Sequence, residues 1–272
     1  MSATVRPIGD LLREWRQHRR LSQLELSLDA EISTRHLSFL ETGRSQPSRD
    51  MVLRLAERLD VPLRDRNLLL HAAGYAPVFP ERPLDDPALQ IARAAIDQVL
   101  AGHEPYPALA VDRHWTLIAS NDANRRVIGD VDAALLRPPV NVLRLALHPK
   151  GLAPRTANLG EWRAHLLARL GHQIQVSGDP VLIRLLRELR DYPAPDEATY
   201  EVDAGAFVVP FKLMTDAGTL AFFSTTTVFG TPIDITLSEL AVEAFYPADT
   251  STAEQVRLAS SGRTLRNPYA SL

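Results

Sequence analysis

A short polar stretch around Arg35 contains the side chains whose types and spacing suggest a defined chemistry. An arginine guanidinium can donate two parallel hydrogen bonds to the O6 and N7 atoms of a guanine, which discriminates against other bases by ~1–3 kcal/mol. On a helix, neighbours three or four positions apart share a face and could reach the same base edges. The candidate base-reading residues are Thr34, Arg35, His36, Ser38 and Phe39. Phe39 could instead belong partly to the core, and His36 could simply be solvated.

Residues on either side of this stretch suit phosphate oxygens. Gln23 opens a predicted helix, where backbone N–H groups and the side-chain amide can hold a phosphate. A carboxylate would repel phosphates, so Glu41 is not expected to contact DNA. The candidate phosphate-binding residues are Ser22, Gln23, Thr42, Arg44 and Ser45.

These side chains need helices to position them, and the first 75 residues predict five. Ser22 followed by Glu25 is a capping box, Ser33 and Ser48 are further N-caps, and Gly43 is a helix terminator. Two short helices joined by a tight turn allow the third helix to enter the ~12 Å wide major groove. The predicted helices span residues 8–19, 22–29, 34–42, 49–59 and about 62–74.

The spacing of these signals resembles the XRE family of repressor-like helix-turn-helix proteins. The resemblance covers residues 8–74 and rests on Ser22-Gln23, Ser33, Leu40-Glu41, Gly43 and Pro47. It implies an all-α DNA-binding domain, and it implies that Glu41 forms a structural ion pair with Arg16. A plain helical bundle with a solvated polar face is the alternative for this half.

A proline-rich stretch, residues 76–87, predicts a linker of restricted flexibility. Residues 88–262 mix helical patterns with β-rich stretches, which favours one antiparallel sheet with helices on a face. A hairpin is expected over 108–121, strands over 206–214, 220–229 and around 233–237, and a last helix from about Thr252. Residues 263–272 are expected to form a flexible tail.

The second half resembles the ligand-binding domain of MmyB-like regulators. The motifs that carry the resemblance are Trp115–Asn121, Asn141–Pro149, Asn158–Trp162 and Gly178–Pro180. The resemblance implies a PAS-like α+β domain that encloses a hydrophobic pocket for a fatty-acid-like ligand. Phenylalanines of the late strands could line such a pocket or simply fill the core. The candidate pocket residues are Trp115, Leu143, Phe207, Phe211, Phe222, Phe223 and Phe229.

Nothing in the sequence indicates catalysis, a cofactor or a metal. His165 and His172 lie two helical turns apart, too far to share one ion, and the sequence contains no cysteine. Nucleotide-binding glycine motifs and a nucleophile elbow are also missing. An enzyme fused to a DNA-binding module is therefore the least favoured interpretation.

The charges of the two halves and the hydrophobic pattern complete the prediction. Residues 1–75 carry 12 Arg and 10 acidic residues, a net +2, so the remaining 18 basic and 23 acidic residues give −5. With no apolar run of ~20 residues and no secretory leader, we expect a cytoplasmic protein without a membrane partner.

One helix-turn-helix unit reads few base pairs, so a homodimer on a near-palindromic double-stranded operator is expected. A hydrophobic small molecule would modulate DNA affinity; alternatively, the second domain only dimerises or binds a protein partner.

Overall fold

The computed structural model describes residues 6–193 and 208–260. Contacts divide the chain into two compact units. The first contains Met1–Pro83, Gln175–Ser177 and Thr231–Ser238, and the second contains Leu84–Ile174, Gly178–Gly230 and Glu239–Leu272. Within the described residues, no helix is long and apolar enough to cross a membrane.

Five helices form most of the first unit in its described N-terminal part. They are α1 (Ile8–His18), α2 (Gln23–Asp29), α3 (Thr34–Glu41), α4 (Arg49–Arg58) and α5 (Leu63–Ala72). The predicted all-α first half is thereby confirmed.

Serine caps determine where three of these helices begin. The hydroxyls of Ser22, Ser33 and Ser48 accept hydrogen bonds from backbone N–H groups at the third helical position. Such a cap satisfies a donor that the helix itself leaves unpaired, and it stabilises a helix by ~1 kcal/mol. Because these caps are local, short helices form at defined positions along the chain.

The core of the first unit draws α1 and α3 close together. Leu12, Leu37 and Leu40 are fully buried in it. At Gly9 the two helices approach so closely that a Cβ atom would lie 2.5 Å from the carbonyl oxygen of Leu40. A side chain at this position would push α3 away, so Gly9 sets the distance between the two helices.

The predicted linker is held against α5 within the first unit. The Oδ1 atom of Asn67 accepts hydrogen bonds from the backbone N–H groups of Val78 and Phe79, and its Nδ2 donates to the Phe79 carbonyl. The segment Thr231–Ser238 also joins this unit. Its buried Asp234 lies 2.9 Å from Arg82, which extends the unit beyond the N-terminal residues.

In the described part of the second unit, five antiparallel strands form a sheet in the order β2-β1-β5-β4-β3. Side chains alternate between its two faces, so that Leu109 and Phe222 enter the main apolar cluster. The strands are β1 (Ala108–Val111), β2 (Leu117–Ser120), β3 (Phe211–Thr215), β4 (Gly218–Val228) and β5 (Ala241–Pro247).

Helices accompany this sheet and complete an α+β unit, as predicted. Trp162, Leu166 and Leu170 enter the cluster from α9, and Leu182, Leu185 and Leu189 enter it from α10. The helices of this part of the chain are α6 (Gln90–Gly102), α7 (Asp122–Ile128), α8 (Val142–Leu147), α9 (Leu159–Ser177), α10 (Pro180–Arg190) and α12 (Thr250–Ser260).

The prediction of a strand around 233–237 is wrong. The chain forms a short helix there, α11 (Ile235–Ser238), because Asp234 accepts a hydrogen bond from the Thr236 N–H and its carbonyl accepts one from Ser238. The last strand lies further along, at β5, which the sequence pattern did not predict.

Candidate nucleic-acid interface and apolar cavity

The outer face of α3 and the loop that follows it present two arginines beside one aromatic ring. The guanidinium carbons of Arg35 and Arg44 lie 5.3 and 5.9 Å from the ring centre of Phe39. Both arginines are exposed, and in the described part of the chain neither has an ion-pair partner. Cation–π contact with this ring is favourable for both guanidinium groups.

Several of the other candidate contact residues have partners within the unit. The Thr34 hydroxyl lies 2.9 Å from the Ser27 hydroxyl, and the Thr42 hydroxyl donates to the Ser38 carbonyl. The Ser22 hydroxyl caps α2. These hydroxyls therefore organise the helix ends, while His36, Ser38 and Ser45 are half-buried.

A buried ion pair orients α3. Arg16 of α1 donates from Nε and Nη2 to the two carboxylate oxygens of Glu41, at 2.6 and 2.9 Å. Arg13 donates to the Glu41 carbonyl at the end of α3. The pair that the XRE resemblance implies thus lies between the first and third helices.

Gln23 completes the surroundings of this carboxylate. Its Nε2 donates to Glu41 Oε2 at 2.8 Å, so the amide that was expected to hold a phosphate is oriented by Glu41. Burial opposes ionisation of Glu41, but the hydrogen bonds from Arg16 and Gln23 outweigh it and lower the pKa of this carboxyl. Glu41 is therefore a charged part of the scaffold at neutral pH.

The second unit contains an apolar cavity between the sheet and its helices. The cavity has a volume of about 90 Å³. On the same measure, a single water molecule needs roughly 10–15 Å³. The space suits a slender or small ligand. Its apolar walls include Leu109, Trp115, Leu143, Leu145, Trp162, Leu166, Phe211, Phe222 and Phe245.

Four of the predicted pocket residues, Trp115, Leu143, Phe211 and Phe222, line this cavity. Phe223 does not, because successive strand residues point to opposite faces, and it stacks on Tyr246 instead. Phe229 lies beyond the end of β4 in a groove beside α6. Phe207 lies outside the described residues.

Sequence analysis missed the polar residues of the cavity. Arg169 and Glu243 both line it and pair with each other, and Asn124 and Ser224 line it as well. An isolated glutamate in the apolar run Ala241–Pro247 is a signal that could have revealed this site, since a buried carboxylate requires a partner. The partner lies 74 positions away, so only the fold brings the two together.

Comparison with known families decides what these two sites belong to. The family model for the MmyB-like transcription regulator ligand binding domain matches residues 92–259, more than half of the chain. The chain belongs to the MmyB-like transcription regulators. A helix-turn-helix family model matches residues 12–65. This MmyB-like chain is therefore a DNA-binding transcription regulator with a ligand-binding domain.

Other comparisons add little to this assignment. No curated protein matches the chain. One solved structure, titled "Structure of an RNA-binding Light-Oxygen-Voltage Receptor", is 13% identical with a TM-score of 0.24. The alignment covers 94% of this chain and 63% of that one, so the chain spans less than two thirds of that protein. A likeness of this size supports no statement about fold or function.

Proposed function

We propose that this regulator binds a near-palindromic operator as a homodimer, with α3 in the major groove, and that a hydrophobic small molecule in the second unit changes its DNA affinity. The observation that carries the proposal is the outer face of α3. Arg35 on this face and Arg44 in the loop after α3 are exposed, lie over the Phe39 ring and are not paired with any described carboxylate. Guanidinium groups presented in this way suit guanine edges and phosphates.

Within this interface we assign base reading to Thr34, Arg35, His36, Ser38 and Phe39. Ser22, Gln23, Thr42, Arg44 and Ser45 are assigned to the phosphates. Arg35 has the central role because it can make a bidentate contact.

The homodimer follows from the size of the reading unit. One such helix contacts only a few base pairs, and two half-sites a helical turn apart, ~34–36 Å, supply the missing specificity. A two-fold dimer reads such a site as a near-palindrome. Sedimentation of the protein alone and with DNA measures the stoichiometry, for which we expect two chains per operator.

The ligand proposal rests on the cavity of the second unit. Its lining is largely apolar, which suits a fatty-acid-like or other hydrophobic molecule. Such a ligand can change DNA affinity only if it binds two states of the protein with different affinity. The coupling is then reciprocal, so operator DNA must change the affinity for the ligand by the same factor.

The test compares operator binding of the wild type with that of Arg35→Ala. Fluorescence anisotropy on the DNA upstream of the protein's own gene, and on variants of each base pair, gives the preference at each position. We expect Arg35→Ala to lose ~1–3 kcal/mol on the operator and to lose discrimination at one base pair. Arg58→Ala on α4 is the matched control and should keep the preference. Unchanged preference in Arg35→Ala would show that α3 docks in another register.

In a second candidate function, the second unit only dimerises or binds a protein partner. The surface of α6 favours it, because Ile91 is 87% exposed and Val99 is 47% exposed. If the second unit only dimerises, Ile91→Glu should abolish assembly and operator binding together, and hydrophobic compounds should leave the melting temperature of the wild type unchanged. If Ile91→Glu leaves assembly intact while hydrophobic compounds raise the melting temperature of the chain, the ligand-responsive function is favoured.

A further inference from the structure

The segment that connects β4 and β5 leaves the unit to which both strands belong. The strands are part of the second unit, whereas Thr231–Ser238 between them is part of the first. The last register pair of the two strands is Val228 with Ala241, so residues 229–240 form the β4–β5 connection. This connection is therefore continuous in sequence with the sheet, although its central part is grouped with the DNA-binding helices.

The β4–β5 connection binds the end of the linker through side chains and backbone. Arg82 Nη1 donates to the Asp234 carboxylate at 2.9 Å, and the Thr236 hydroxyl donates to the Arg82 carbonyl at 2.6 Å. The Ile235 N–H donates to the Pro80 carbonyl at 2.8 Å. Asp234 and Ile235 are each 2% exposed. Because the bonds are short and their partners largely buried, they define one position of the linker on the connection.

The linker residues that the connection binds are also fixed to the DNA-binding helices. Asn67 of α5 accepts hydrogen bonds from the backbone N–H groups of Val78 and Phe79. The N-terminal part of the first unit ends a few residues later, at Pro83. The linker is thus held by α5 on one side and by the β4–β5 connection on the other, so a displacement of the connection must change the path of the linker.

The strands on either side of the connection form part of the cavity wall. Glu243 of β5 lines the cavity and pairs with Arg169 of α9. Thr226 lies opposite Glu243 in the register of β4 and β5, and its hydroxyl is bonded to both side chains. A hydrogen-bonded strand pair is a rigid element, so a shift of β4 and β5 at the cavity wall reaches the ends of the β4–β5 connection.

We propose that the β4–β5 connection transmits the ligand state of the cavity to the DNA-binding helices through its hydrogen bonds to Arg82 and Pro80. The inference rests on the proposed function, since it requires a hydrophobic ligand that changes DNA affinity, and it names the element that carries the change. A ligand that favours one position of β4 and β5 then favours one path of the linker. DNA that favours the same path raises ligand affinity by the same factor.

The double variant Asp234→Asn/Thr236→Val tests the proposal on the full chain, because it removes the ion pair and one hydrogen bond to the linker. Octanoate is the probe, and tryptophan fluorescence reports its binding because Trp115 and Trp162 line the cavity. Anisotropy on the DNA upstream of the protein's own gene, with and without saturating octanoate, measures the coupling. We expect octanoate to change the DNA affinity of the wild type about fivefold or more, and that of the double variant less than about twofold.

The affinities measured separately should change little in the double variant. Neither altered residue lines the cavity or lies on α3, so octanoate binding without DNA and DNA binding without octanoate should stay within about threefold of the wild type. Glu188→Gln is the matched control. It removes an ion pair of the second unit in which the arginine, Arg144, is 44% exposed, against 39% for Arg82, and it should keep the full coupling.

Hydrogen exchange of the wild type provides a measurement that does not depend on the folding of a variant. The Ile235 N–H bonds the linker directly, and the N–H groups of Val78 and Phe79 bond Asn67. Saturating octanoate should change the exchange rates of these three amides, because opening of their hydrogen bonds depends on the position of the linker.

The outcomes separate this inference from the proposed function. Full coupling in the double variant, equal loss of coupling in Glu188→Gln, or unaltered exchange at Ile235 while octanoate changes DNA affinity overturns the role of the β4–β5 connection and leaves a ligand-responsive regulator. If octanoate does not bind the wild type, or binds without changing its DNA affinity, the ligand-responsive function is overturned and this inference with it.

Discussion

The two units of this regulator each bury a glutamate against an arginine, and the two pairs differ in what surrounds them. Glu41 is enclosed by Arg16, Gln23 and the packed helices of the first unit, and its side chain is fully buried. Glu243 pairs with Arg169 on the wall of a cavity. One pair therefore fixes a scaffold, and the other sets the electrostatics of a partly open cavity.

The difference explains which pair can tolerate change. Replacing a partner in a close-packed pair leaves a buried charge with no room for water. Beside a cavity, the remaining charge can recruit water or an anionic ligand. The same chemistry thus yields rigidity in the first unit and selectivity in the second.

The largest effect is expected for Glu41→Ala. Arg16 would lose its carboxylate in a site where its side chain is 12% exposed, which should lower the free energy of unfolding of the first unit by about 3–5 kcal/mol. Differential scanning calorimetry of the full chain detects this loss as an unfolding transition at a lower temperature. Glu14→Ala, which removes an exposed pair with Arg6, should cost about 0.5 kcal/mol or less. Similar losses in the two variants would contradict the scaffold role.

Glu243→Gln tests the second pair, Arg169–Glu243. Arg169 would be left with a net positive charge on the cavity wall, so octanoate should bind at least tenfold more tightly than to the wild type. Fluorescence titration checks the change. Glu254→Gln, an exposed position on α12, should leave octanoate binding as it was. An unaltered affinity in Glu243→Gln would mean that the pair does not control the charge of the cavity.

Acid should lower the stability that the Arg16–Glu41 pair contributes to the first unit. Because the folded protein lowers the pKa of Glu41 below 4.5, its contribution to stability is complete above that value and is lost as the pH falls through the lowered folded pKa. Between pH 5 and pH 3, wild-type stability should therefore fall more steeply than that of Glu41→Gln. Equilibrium denaturation at a series of pH values provides the measurement, and parallel curves would contradict the assignment.

The smallest effect is expected for Gln23→Ala. It removes one hydrogen bond to Glu41 and should lower stability by about 1 kcal/mol. Because the same residue is assigned to a phosphate, affinity should fall alike for operator and unrelated duplexes in anisotropy titrations. A loss confined to the operator would indicate that Gln23 reads a base.

Local signals made the first unit predictable. Ser22, Ser33 and Ser48 accept the hydrogen bonds expected of N-caps, and each acts within three residues of itself. Gly43 adopts a positive φ of 72°, as a helix terminator does. Helix positions in this unit therefore depend on information that lies next to them in the sequence.

The second unit depends on contacts between distant residues, which the sequence pattern could not supply. The run 233–237 has the composition of a strand, yet Asp234 turns it into a helix and the strand forms at Ala241–Pro247. Phe222 and Phe223 are equally apolar, and only the register of β4 determines which one faces the cavity. Arg169 lies on α9 and Glu243 on β5, so only the folded structure reveals that they pair on the cavity wall.

The contact between Arg82 and Asp234 makes the first unit discontinuous in the chain. The two residues are 152 positions apart. Since synthesis runs from the N-terminus, the helices that carry Arg35 can fold early, but their unit acquires its last described segment only after residue 238 has left the ribosome. A fragment that ends at Pro83 would keep every residue assigned to DNA and would still lack the carboxylate that Arg82 binds.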